Sequence, residues 1–111
     1  MDIYKFDRGI NITRFNSNFT MSRIVESDNL VRINYMTLDK NGVIGYHQAV
    51  TSQILLVLNG NGYVRNEKSD LIKIQAGQAV FWEKGEWHET KTDHGLTAMV
   101  IEGKELTPYN N

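Results

Sequence analysis

Apolar positions in this chain recur in short runs with a period of two, broken by Gly, Asn and Asp, which is the pattern of strands rather than helices. Phe19 to Glu26 reads as one strand. Leu30 to Leu38 alternates, with Val31, Ile33 and Tyr35 on one face, and ends at the turn Asp39-Lys40-Asn41-Gly42. Ile54 to Leu58 is an unbroken apolar run, as expected for a strand covered on both sides. Asn59-Gly60-Asn61-Gly62 predicts a tight hairpin, because Gly and Asn tolerate positive φ, and Tyr63 to Asn66 is then its return strand. Leu71–Ile74, Ala79–Trp82, Trp87–Thr90 and Leu96–Glu102 complete the series, separated by turns at 67–70, 76–77 and 92–95. Many short strands at even spacing predict an all-β sandwich or closed barrel, and the Gly-rich turns favour a jelly-roll β-barrel. Residues 1–18 are expected to be an edge segment that pairs with another copy of the chain.

Composition narrows this without redirecting it. The 111 residues suit one domain, taken as 1–111. The formal net charge is -1, and the 12 Lys and Arg form no dense run, so neither a nucleic-acid nor a membrane surface is expected. There are no cysteines, which excludes disulfides, thiolate metal sites and a thiol nucleophile. With no signal-like or membrane-length apolar run, a cytoplasmic protein is the expectation. No Ser-His-Asp arrangement or phosphate-binding glycine loop is recognisable.

The candidate chemistry lies in two glycine-punctuated blocks. The first holds Gly42, His47, Ala49, Gln53 and Gly60; the second holds Gly77, Glu83, Gly85 and His88. Residues two apart on a strand share a face, so His47 and Ala49 point one way and Tyr46 and Gln48 the other. Gln53 and His88 then reach the same place from other strands, which is how a barrel mouth builds a ligand site. Trp82 shares parity with Val80 and is read as a pocket wall or core residue. Tyr35 is read as a hydrogen-bonding pocket residue, against the alternative that a strand tyrosine simply packs. Glu83 and Glu86 are expected at the rim, Glu102 at a strand end, Trp87 at a rim or interface, and Glu89 and His94 away from the site.

The two blocks together resemble the motifs of the cupin family, in particular its small single-domain members with a conserved barrel, over roughly residues 30–102. The family's first motif has a Gly, then His-x-His, a Glu, six residues and a Gly; its second has Gly, five residues, Pro-x-Gly, two residues and His. Here the Gln53-to-Gly60 and Gly77-to-His88 spacings match, and Gly42 to His47 is one residue short. The resemblance implies a double-stranded β-helix and a metal held by the motif histidines and Glu. Ala49 stands where the second His would be and Gln53 where the Glu would be. What remains is His47, Gln53 and His88, a set without negative charge that suits Zn, Fe, Ni or Cu with water completing the shell. The alternative is a metal-free barrel in which the same residues hydrogen-bond a ligand. Two functions follow: a metal-dependent enzyme of dioxygenase or isomerase type acting on a small molecule, or a non-enzymatic small-ligand binding or sensory module. The resemblance also implies a homodimer.

Overall fold

The structure, a computed structural model, describes residues 1–110. It is all-β, apart from a three-residue 3-10 turn at Arg14–Asn16. The strands are β1 (Asp2–Lys5), β2 (Ile10–Ile12), β3 (Phe19–Met21), β4 (Val25–Glu26), β5 (Val31–Leu38), β6 (Val43–Gln48), β7 (Ser52–Asn66), β8 (Ile72–Gln75), β9 (Gln78–Trp82), β10 (Trp87–Lys91), β11 (Leu96–Gly103) and β12 (Thr107–Pro108).

β7 organises the molecule. Its first half pairs with β9 and β11, and its second half with β8 and β10. β1 extends one side beyond β9, β5 lies beyond β11, and β6 lies beyond β10. The hairpin predicted at 59–62 is therefore absent: the chain runs through these residues as one strand of 15 residues. The glycines there serve close packing instead. Gly60 has φ +83°, and a Cβ on it would collide with the Gly95 carbonyl; one on Gly62 would collide with the Lys91 carbonyl. Thr97 faces Asn59 while Ala98 faces Val57, so Leu58 is an extra residue, and this bulge bends the strand as it passes between the two groups of partners.

Two clusters hold the fold. The interior one draws Leu38, Val57, Val64, Ile74, Val80, Trp82 and Ala98 from both groups of strands. The other, on the opposite face of β7, β9 and β11, joins Ile54, Ala79, Phe81 and Ile101 to Phe6 and Leu106 from the terminal segments. This double cover explains the Ile54-to-Leu58 run: Ile54 serves one cluster and Leu55 the other. Fully burying side chains of this size stabilises by roughly 1.5–3 kcal/mol each.

One further expectation changes. Phe19 to Glu26 is not one strand but two, β3 on β2 and β4 on β12. The N-terminal segment contains an edge strand, β1, which pairs with β9 of its own chain. In β5 the expected alternation holds: Val31, Ile33 and Tyr35 share one exposed face, and Met36 and Leu38 turn to the core.

Candidate functional site

At one end of the interior, the apolar side chains give way to a cavity of about 130 Å³. Asn34, His47, Gln53, Trp82, His88, Thr90 and Glu102 supply its polar atoms, above Met36, Ile44, Leu55 and Val100. The three residues expected to converge, His47, Gln53 and His88, do so, and Trp82 is a wall as expected.

His47 arrives by a bulge. His88 faces His47 across the β10–β6 pair, yet Thr90, two residues on, faces Ile44, three residues back. One extra residue at Gly45-Tyr46 thus turns His47 onto the same face as Ile44, and both line the cavity. The His47 and His88 rings sit 4.3 Å apart at 53°. His47 Nδ1 lies 2.6 Å from the Gly45 carbonyl and His88 Nδ1 lies 3.4 Å from that of Glu86. A carbonyl only accepts, so the neutral rings carry their proton on Nδ1 and keep the Nε2 lone pair for a further partner. Burial pushes the His88 imidazole below its usual range, and His47 adds to the shift, against the opposing pull of the Glu86 carbonyl and carboxylate.

The opposite wall is a row across four strands. In register, Trp82 of β9 is beside Gln53 of β7, which is beside Glu102 of β11, which is beside Arg32 of β5. Trp82 is fully buried, its ring 4.5 Å from that of His88, and its Nε1 has no hydrogen-bond partner among the described residues. Glu102 was expected merely at a strand end; it faces the cavity, so the site is not free of negative charge. Its partner is Arg32, with Nε 3.7 Å from Oε1, beyond hydrogen-bond reach, and Arg32 is mostly exposed. The signal was present in the sequence: Leu96, Ala98, Val100 and Glu102 share one parity, as do Asn34, Met36 and Leu38.

Tyr35 is a correction. It is 68% exposed on the outer face of β5 and takes no part in the cavity, because its parity is opposite to that of Asn34 and Met36. Glu86 is tied down rather than free at the rim: it accepts from the Met1 ammonium at 3.0 Å, the Asn66 amide at 3.0 Å and the Glu83 N–H at 2.8 Å. Burial opposes its ionisation, but these donors win and hold its carboxyl below the usual range. Glu89 points away from the site, to Arg65 at 2.8 Å, and His94 is exposed. Trp87 stacks on Tyr46 outside the cavity, with ring centroids 5.4 Å apart.

The metal set that the motifs imply does not fit. Ala49 is buried and has no donor atom. Among the described residues, no three His, Cys, Asp or Glu side chains are placed to hold an ion together. Around His47 and His88 the residues offer two imidazole nitrogens and uncharged amides, with Glu102 at the far end of the row from Trp82.

A scan against protein-family models finds no match, and a search of curated proteins finds none. Among solved structures, the chain is similar to a cupin superfamily protein from Desulfitobacterium hafniense, with a TM-score of 0.63 and 12% identity over 72% of each chain. It is similar to a cupin-2 domain containing protein from Shewanella frigidimarina, with a TM-score of 0.60 and 19% identity over 74% of this chain and 78% of that one. It is also similar to the DMSP lyase DddQ from Ruegeria pomeroyi, with a TM-score of 0.62 and 24% identity, over 77% of this chain and 44% of the lyase. Identities this low carry the fold and not the chemistry. Among the described residues, no helix is long and apolar enough to cross a membrane. The strand arrangement, the paired histidines and these likenesses agree that the chain has the cupin fold.

Proposed function

We propose that this chain is a jelly-roll cupin whose cavity binds a small polar molecule directly through its own side chains. The observation that carries the reading is the convergence of His47, Gln53, His88 and Glu102 on one cavity, beside the fully buried Trp82 whose Nε1–H has no acceptor among the described residues. A buried donor left unpaired costs about 1–3 kcal/mol, so it marks a place where a partner belongs. Among the described residues, the Asn34 and Gln53 amides and the two histidine Nε2 atoms have no hydrogen-bond partner around the same space. A volume of about 130 Å³ is close to the roughly 150 Å³ that accommodates a six-carbon ring. The ligand is therefore small, about six heavy atoms.

The test uses Trp82 as reporter. The chain has two tryptophans, and Trp87→Phe leaves Trp82 as the only one. Fragments of about six heavy atoms or fewer are titrated while the Trp82 emission is followed. A saturable change that His88→Ala removes supports the reading; a flat response to every fragment overturns it.

A second reading is favoured by one observation, the Nδ1-to-carbonyl contacts of both histidines, since metal-bound histidines are commonly held this way. In it, His47, His88 and Gln53 hold a divalent ion, and the protein is an enzyme of dioxygenase or isomerase type. Calorimetry with Zn²⁺ on untagged protein decides: stoichiometric binding that His88→Ala abolishes and Gln53→Glu tightens supports this reading, and no heat of binding sinks it. The setting we propose is the cytoplasm, with the chain as a homodimer through β5, which pairs on one side only and exposes Val31, Ile33 and Tyr35. Sedimentation showing monomer alone at micromolar concentration removes the dimer.

A further inference from the structure

This inference rests on the small-ligand reading and names the ligand's chemistry. We infer that the cavity selects a small molecule carrying a protonated amine at one end and an oxygen acceptor at the other, the amine for Glu102 and the acceptor for Trp82 Nε1–H. An amino alcohol is the simplest member of that class.

The register supplies the argument. Trp82, Gln53 and Glu102 are consecutive neighbours across β9, β7 and β11. Adjacent strands lie about 4.8 Å apart, so the row spans roughly 10 Å between its end Cα atoms. Its chemistry changes along that length. Trp82 only donates, Gln53 both donates and accepts, and the ionised Glu102 only accepts. A molecule lying along the row therefore meets a donor at one end and an acceptor at the other. The facing wall repeats the preference, because the His47 and His88 Nε2 atoms of neutral rings accept.

Charge points the same way. Among the described residues, Glu102 is the one Asp, Glu, Lys or Arg side chain that lines the cavity. Arg32 lies outside, 80% exposed, and its 3.7 Å approach to Glu102 leaves the carboxylate without a hydrogen bond from it. An exposed cation of that kind is strongly screened and offsets little of the carboxylate's field inside the cavity. A ligand carboxylate would meet Glu102 as a like charge and the imidazole lone pairs as competing acceptors. A ligand ammonium meets all of them as acceptors, and a charge-assisted hydrogen bond to Glu102 is about twice as strong as a neutral one.

Three probes of similar size separate the possibilities: ethanolamine, ethylene glycol and glycolate, cationic, neutral and anionic at pH 8. Each is titrated into the Trp87→Phe protein at constant ionic strength, and the single indole N–H resonance of Trp82 is followed by NMR. Ethanolamine is expected to bind about tenfold more tightly than glycolate, to shift the indole N–H downfield, and to lose that preference in Glu102→Gln. An unchanged urea midpoint for Glu102→Gln shows that the variant is folded. Glycolate binding more tightly than ethanolamine, or a preference that survives Glu102→Gln, overturns the charge assignment and leaves the pocket. Binding by none of the three overturns the inference together with the small-ligand reading.

Discussion

The two ends of the interior are built from the same strands and differ in what they do. Inward positions of β11 run Leu96, Ala98, Val100, Glu102; those of β7 run Val57, Leu55, Gln53; those of β5 run Leu38, Met36, Asn34. At one end every row is apolar and closed. At the other every row finishes on a polar side chain around the cavity. Apolar packing is concentrated at the first end and, on the proposed reading, recognition at the second, and the strand period delivers both without any added element. Polar groups gathered this way reduce stability where they lack partners, which is the usual cost of a binding site.

That contrast is broken most severely at the closed end. Ile74 is fully buried, so Ile74→Ala should cost about 2–5 kcal/mol of stability. Urea denaturation measures this, and fragment binding by the surviving folded protein should be unchanged. A loss under about 1 kcal/mol would mean that the closed end does not carry the stability. Gly60→Ala comes next. Its positive φ and the Gly95 carbonyl in the way of a Cβ place the cost at about 1–3 kcal/mol. The damage should appear in the second half of β7, as faster amide exchange from Asn61 to Asn66, more than around His88.

The polar end should respond in the opposite sense. Gln53→Leu removes an amide from the row and fills its place with carbon, so stability should hold or rise within about 1 kcal/mol while ligand binding falls. Clear destabilisation would show that Gln53 is a structural hydrogen-bonding residue and not part of a site.

The fold was legible because most turns and strands announce themselves locally. Asn41, with φ 62°, and Gly77, with φ 88°, sit where the turn residues predicted. The failures share one cause: local chemistry does not reveal what a segment will lie against. Asn59-Gly60-Asn61-Gly62 has hairpin residues, but its glycines answer to the Gly95 and Lys91 backbones, which are far away in sequence. Tyr35 shares an apolar face with Val31 and Ile33, yet β5 lies at the end of its group of strands and that face is left open. His47, Gln53 and His88 were found through spacing. The parity of Glu102 with Leu96, Ala98 and Val100 is legible, but that it lies beside Gln53 depends on register, which only the tertiary structure supplies.

The smallest expected effect is on pH, and it tests whether the buried histidine belongs to the polar end as described. The His88 folded-state pKa is lowered from 6.5, chiefly by burial. In the unfolded chain the imidazole takes up its proton first as pH falls, so the unfolded state binds more protons and is favoured. Stability from this group is thus fully present above about pH 6.5 and is lost as pH falls from there toward the folded pKa. The Glu86 carboxyl is also lowered, from 4.5, so its contribution is lost only at lower pH, and the two windows separate. Urea midpoints measured from pH 8 down to pH 5 should fall below pH 6.5 in the natural sequence and stay flatter in His88→Gln. A ligand that donates to the neutral ring should weaken only at the lower end of this interval, as pH falls through the folded pKa and protonation removes the acceptor it uses. Equal slopes in the two proteins would mean that His88 exchanges protons freely with solvent, and the distinction between a sealed end and an open one would then have to be drawn above it.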